Sequence, residues 1–307
     1  DLLGNVTAQQ VSLAGAANLI VGGGAAGQTL ITDGAGALTW GASSLKYTKE
    51  WHVSVDQGNN SNNGSEAAPY ATITKALTDA AVGDVIYVHG GTYTENVTIS
   101  KTVEIIAADG DAATLSGTVT FDSTTGVVHT HGLKLTGTVM FGATAEVNVI
   151  NGELTGTVTR SDSGTLRFVS SKVTPTAFNI VATGTVTFFG GEQHNVTINN
   201  NSAAVYIHGS DRLHNTTLTL GTLDISDAEI TSTNATSNAI TSAVGTTLKI
   251  STAHIKYGAG LARISVAGSY TLDGVVFDQA NSTFTGATLL RETAVSDTVS
   301  LLGNLTV

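Results

Sequence analysis

From Val128 to Leu272 the chain repeats one small pattern, two apolar residues separated by a polar one. The pairs are Val147/Val149, Leu166/Phe168, Val186/Phe188, Val205/Ile207, Leu223/Ile225, Leu248/Ile250 and Tyr270/Leu272. Their first members lie 19, 20, 19, 18, 25 and 22 residues apart, and Val128 precedes Val147 by 19. After each pair comes a small or polar corner. A second apolar anchor follows, at Leu135, Leu154, Val173, Leu213, Ile230, Ile255 and Phe277. Residues two apart on a strand share a face, so each pair points inward together. One such rung cannot bury its own apolar face, whereas stacked rungs bury a continuous column. The pattern therefore predicts an all-β solenoid, a parallel β-helix. Helical repeats would need apolar residues at i, i+3 and i+4 over long runs, and leucine-rich repeats would need a Leu run and an Asn at fixed positions. Neither occurs.

The residues just before the second anchors are Lys134, Glu153, Lys172, Arg212, Glu229 and His254, and Glu192 stands where the Gln193 rung breaks the frame. Their sign alternates up the stack. Neighbouring parallel strands lie about 4.8 Å apart, so alternating charges attract where like charges would repel. The column reads either as a carbohydrate-binding ladder or, more plainly, as a solvated charge ladder that holds the register. Longer spacings at 223–248 and 248–270 place extra residues, such as Ser232–Asn238 and Gly258–Ala262, in outward loops.

Residues 1–45 are a different material. Gly and Ala dominate, and the apolar residues are too few to close a core within one chain. Short strands at Gln28–Thr32 and Ala37–Trp40, separated by Asp33-Gly34, form a turn or hairpin signal. Leu19, Ile20, Val21, Leu30, Leu38 and Trp40 are expected to face partner chains. The stretch GQTLITDGAGALTW, Gly27 to Trp40, resembles a segment that recurs in bacteriophage tail fibres and tailspikes. That resemblance implies a thin trimeric β stem, a homotrimer, and contact with other tail or virion proteins.

Residues 46–107 open the solenoid. Trp51–Val55 alternates like a strand. Ile73, Ala76, Leu77 and Ala80 follow helical spacing, Gly83 is placed as the helix C-cap, and Val85–Val88 reads as a buried strand. The block PYATITKAL…GDVIYVHGGTYTENVTISKTVEIIA resembles the opening of pectate-lyase-like right-handed parallel β-helix proteins, in which a short helix caps the N-terminal end. The resemblance implies the fold and leaves the activity open, since the fold hosts lyases, esterases, hydrolases and adhesins. The expected division is a stem at 1–45, the capped first rungs at 46–107, rungs at 108–286 and a linker to a further shaft segment at 287–307. The ending Leu301-Leu302-Gly303-Asn304-Leu305-Thr306 echoes Leu2-Leu3-Gly4-Asn5-Val6-Thr7. Asp1 is not a natural start, so a longer polypeptide is expected.

Composition narrows the function. The formal net charge of −11 offers no basic patch for phosphates, so nucleic acid is not an expected partner. There is no cysteine, hence no disulfide framework or Cys metal site. No apolar run reaches the roughly 18 residues of a membrane helix, so membrane insertion is not expected. A polysaccharide-cleaving site needs two carboxylates about 5–10 Å apart. The nearest local groups are Glu192 with His194 and, one rung on, His208 with Asp211 and Arg212. They are read as glycan-binding candidates and not as catalytic ones. Asp109 and Asp111 stand alone at a turn, and Asp224 and Asp227 lack neighbouring partners. His129-x-His131 supplies only two local ligands, so no metal and no cofactor is expected. The sequons at Asn96, Asn195 and Asn215 mean little in a chain this rich in Asn and Thr. The expected role is attachment of a phage fibre, in the virion and outside the cell, to bacterial surface polysaccharide. The alternatives are a spike that also degrades that polysaccharide and a purely structural fibre or decoration.

Overall fold

The computed structural model describes residues 28–32, 38–42 and most of 49–306. Within that last span it does not describe 111, 123–125, 143–145, 161–162, 181–183, 211, 232–237, 256–263, 278–281, 285–287, 292–293, 296–298 and 302–304. The chain falls into two units, residues 1–46 and 47–307.

In the first unit, Gln28–Thr32 pairs antiparallel with Leu38–Ala42, with Leu30 opposite Trp40. The side chains expected to face partner chains there lie outside the described residues, as do Leu19, Ile20 and Val21.

The second unit is a stack of rungs of three strands, with Val196–His208 and Thr216–Ser226 each running on from the third strand of one rung into the first strand of the next. In the middle of the stack a rung runs Glu146–Ile150, then Glu153–Leu154, then Thr157–Arg160. Each strand pairs in parallel with its counterpart one rung on: Val147 with Leu166, Leu154 with Val173, Val158 with Phe178. The rungs thus build three faces, termed here the first, second and third sheet. Crossovers between parallel strands are right-handed, and the fold is the parallel β-helix that the repeat predicts, with the right hand that the resemblance of residues 69–107 implies.

The predicted inward pairs stack without a break. Val147, Leu166, Val186, Val205, Leu223, Leu248 and Tyr270 form one column in register. Val149, Phe168, Phe188, Ile207, Ile225, Ile250 and Leu272 form the other. All are buried. Aromatic rings reinforce the stack, with Phe121 on Phe141 and Phe168 on Phe188, both at 4.9 Å between centroids.

The corner from first to second sheet is made in the left-handed region, by Gly132, Asn151, Ser170, the pair Gly190 and Gly191, Gly209, Asp227, Thr252 and Gly274. A single left-handed residue reverses the local twist, and Gly, Asn and Asp bear it most easily. Thr252 is branched and should resist it. Its Oγ1 donates to Asp227 Oδ1 at 2.6 Å, tying two corners together.

Ile73–Asp79 is the capping helix, with Ile73, Ala76 and Leu77 turned into the core. Thr72 caps its start by accepting from the Lys75 N–H at 3.2 Å. Glu95 accepts from the Ile73 and Thr74 N–H groups at 2.7 and 2.9 Å. Lys101 Nζ donates to the carbonyls of Leu77 and Ala80 at 2.9 and 2.7 Å. Both ends of a helix too short to stand alone are thus held by the first rung. Gly83 does not cap it. The helix ends at an extended Ala80, and Gly83, at φ 91°, turns the chain three residues later into Val85–Val88. Among the described residues no helix is long and apolar enough to cross a membrane.

Pairing also runs past residue 286, where a linker was expected. Thr288–Arg291 continues the first sheet against Tyr270–Asp273, and Leu305–Thr306 continues it further. The apolar pair is less regular there, yet backbone pairing needs no particular side chain.

Candidate functional site

The outward residues of the first sheet fall into two columns fixed by register. One runs Glu104, His129, Asn148, Arg167, Thr187, Tyr206, Asp224, Lys249 and Thr271. The other runs Ile106, His131, Ile150, Val169, Phe189, His208, Ser226, Ser251 and Asp273. From Ile150 to Ser251 the second column changes character along the axis, from aliphatic (Ile150, Val169) through aromatic (Phe189, His208) to hydroxylic (Ser226, Ser251).

At that change sits a platform of rings. Phe189 is 42% exposed although its neighbour Phe188 is fully buried. Its ring stacks on His208 at 5.6 Å, and His208 stacks on Tyr206 at 5.8 Å and 18°. The His208 ring is held from the next rung, with Nδ1 2.6 Å from Ser226 Oγ. Three rings stacked in a row on a rigid sheet give an apolar strip with polar rims, a surface against which the C–H face of a sugar ring can pack. Phe189 and Tyr206 were not among the sequence candidates. The available signals were the Phe188-Phe189 doublet, whose members must face opposite ways, and Tyr206 two residues before His208.

The expected candidates do not form one site. Glu192, His194 and Arg212 lie on the second sheet, whereas His208 lies on the first, across the corner at Gly209. Asp211 is outside the described residues. Glu192 takes the ladder position and Gln193 the anchor position, where it is fully buried. Gln193 donates through Nε2 to Gly190 O at 2.8 Å and accepts from Ser210 Oγ at 2.5 Å. Glu192 reaches Lys172 at 3.9 Å and Arg212 at 3.6 Å, and Lys134 pairs with Glu153 at 3.2 Å. The ladder is thus engaged with itself along the stack. His194 meets His214 of the next rung edge to face at 5.0 Å. Burial lowers the affinity of both imidazoles for a proton, and at His194 the neighbouring His214 adds to it.

His129 and His131 point outward on one strand, 6.3 Å apart, and His131 Nε2 lies 2.8 Å from Glu104 Oε1. Among the described residues no group of three metal-ligating side chains occurs. Asn195 and Asn215 occupy left-handed corner positions, and Asn215 Nδ2 donates to Asn195 Oδ1 at 2.6 Å.

Two depressions among the described residues carry both carboxylate and imidazole groups. A cavity of about 290 Å³ beside the cap is lined by Ser54, Asp56, Glu66 and His89, among others. Its His89 Nε2 lies 3.2 Å from His52 Nδ1. A shallow groove of about 510 Å³ follows the corner past Asp227, Glu229, Thr252 and His254.

No family model and no curated protein matches the chain. Among solved structures it is similar to a rhamnogalacturonan lyase at 11% identity, over 84% of this chain and 87% of that one, with a TM-score of 0.34. It is similar to the A-module of the Azotobacter vinelandii mannuronan C-5 epimerase AlgE4 at 12% identity, over 83% and 97%, with a TM-score of 0.42. A GH136 lacto-N-biosidase from Eubacterium ramulus is similar at 8% identity, over 86% and 68%, with a TM-score of 0.32. The fold assignment above rests on strand register and the site on its own geometry.

Proposed function

We propose that this chain is the β-helical part of a bacteriophage tail fibre or tailspike. In this reading it attaches the virion to bacterial surface polysaccharide and holds that polysaccharide on the outer face of its first sheet. The observation that carries the binding reading is the outward ring row of the first sheet, the exposed Phe189 with the half-buried His208 and Tyr206. An outward aromatic row on this sheet is not needed to fill the core, because the core behind it is already filled by Phe188 and Ile207. The phage reading is supported by the stretch Gly27 to Trp40 and its resemblance to fibre segments. The same reading makes residues 1–45 a trimeric stem, the partners other tail or virion proteins, and the place of action the virion surface outside the host cell. Each sugar contact is weak, about 1 kcal/mol net per hydrogen bond, so three equivalent sites acting together supply the attachment.

A second reading, depolymerisation of the same polymer, is favoured by the corner groove. It brings Asp227, Glu229 and His254 to one depression, and paired carboxylates are the chemistry that glycoside cleavage requires. One experiment separates the readings. The protein is incubated with surface polysaccharide from candidate hosts, and both retention and chain length are followed. Retention with unchanged length supports attachment. Short products that disappear on Asp227→Asn or Glu229→Gln support depolymerisation, and neither retention nor shortening leaves a structural fibre.

A further inference from the structure

The charges around the ring platform are arranged in opposite-signed neighbours. Arg167, one rung before Thr187, is paired with Glu146, which also accepts from Asn148 Nδ2 at 3.1 Å. Asp224, one rung after Tyr206, is the register partner of Lys249. Around the corner Glu192 sits between Lys172 and Arg212. At the distance of a ligand lying on the rings, paired charges largely cancel, and salt screens what remains within about 10 Å. The platform itself presents uncharged rings, the exposed Phe189 stacked on His208 and His208 on Tyr206, with Ser226 and Ser251 in register beyond His208.

Resting on the attachment reading above, we infer that the polymer held by Phe189, His208 and Tyr206 is a neutral glycan, lying along the solenoid axis with its C–H faces on the rings. An anionic polymer would have to lose hydration without meeting a cation that lacks an acidic neighbour, a cost that burial of charge always carries. A neutral chain loses only weakly hydrated C–H surface to the rings and keeps its hydroxyl edge toward Ser226 and Ser251. The stripe from Phe189 to Ser251 covers three rung steps, about 14 Å at the parallel-strand spacing. It is long enough for a short oligosaccharide and runs in one direction only.

The test uses the whole chain against immobilised neutral polysaccharides (a glucan, a mannan and a galactan) and anionic ones (a polyuronate and a sialic-acid polymer), each at low and high salt. The expected result is retention on at least one neutral polymer, changing less than about twofold with salt. Phe189→Ala or Tyr206→Ala should then weaken retention about tenfold or more while the melting temperature stays near that of the parent. Retention only on anionic polymers, falling steeply with salt, would overturn this inference and leave attachment standing. Neutral retention that survives both substitutions would also overturn it. Retention on neither class would overturn the attachment reading together with it.

Discussion

Phe188 and Phe189 are consecutive on one strand and lie on opposite sides of the solenoid wall, the first fully buried and the second 42% exposed. Chemically identical side chains therefore have different tasks, and their substitution separates stability from recognition. Phe188→Ala should cost about 3–5 kcal/mol, because it opens a cavity between Phe168 and Ile207. Phe189→Ala should cost under about 1.5 kcal/mol, the order of an aromatic pair. Urea denaturation of the two variants checks this. Equal losses would show that Phe189 is covered in the folded protein.

The charge ladder is expected to hold register with little energy. Glu192→Gln should cost under about 1 kcal/mol, as exposed pairs do. Glu192→Lys would set three cations in a row at positions 172, 192 and 212. Its melting temperature should fall at low salt and recover toward the parent at high salt. A salt-independent loss would mean that Glu192 acts through packing instead.

Asn195 supports three things at once. It adopts a left-handed conformation, donates to Pro175 O at 2.9 Å and accepts from Asn215. Asn195→Ala should cost about 2 kcal/mol, from left-handed strain and lost hydrogen bonds together. Asn195→Gly keeps the conformation and should cost less. Chemical denaturation of both variants tests the order, and the reverse order would show that left-handed strain is not what Asn195 relieves.

His194 and His214 are held neutral by burial, so their folded affinity for protons lies below the ordinary value of 6.5. Between that depressed value and 6.5 the unfolded chain binds more protons than the folded one. Their contribution to stability is then complete above pH 6.5 and is lost as pH falls below it. His52, lowered by burial and by His89, acts in the same direction. Replacing His194 and His214 by Thr, the residue at register position Thr174 of the preceding rung, should flatten the fall in melting temperature between about pH 6.5 and 5. An unchanged slope would place the pH dependence elsewhere.

The solenoid was legible in the chain because its rules are local. A period of two sets the inward pairs, and stacking needs only that the pairs recur. Val147 through Leu272 could be assigned to the core from spacing alone, and the alternating ladder followed from the same frame. The helix was legible from Ile73, Ala76 and Leu77, but its end was not. Gly83 looks like a cap, whereas Lys101, far along the chain, holds the last carbonyls. Arg160 was illegible for a similar reason. Nothing in the local run TVTRSDS marks it for the core, yet it lies fully buried between Phe141 and Ile180 in register. Its guanidinium donates to the carbonyls of Thr185, at 2.8 Å, and Gly164.

What the chain determined by itself is thus the repeat, the inward columns and the sign of the ladder, all consequences of alternation along a strand. What only the tertiary structure decided is which outward residues become neighbours. Rung lengths vary from 18 to 25 residues, and the variation is absorbed in corners and loops. Register across rungs is set by backbone pairing over the whole stack. That register brings Phe189, Tyr206 and His208 onto one platform and sends Glu192 to another sheet, because the left-handed Gly190 and Gly191 turn the chain between them.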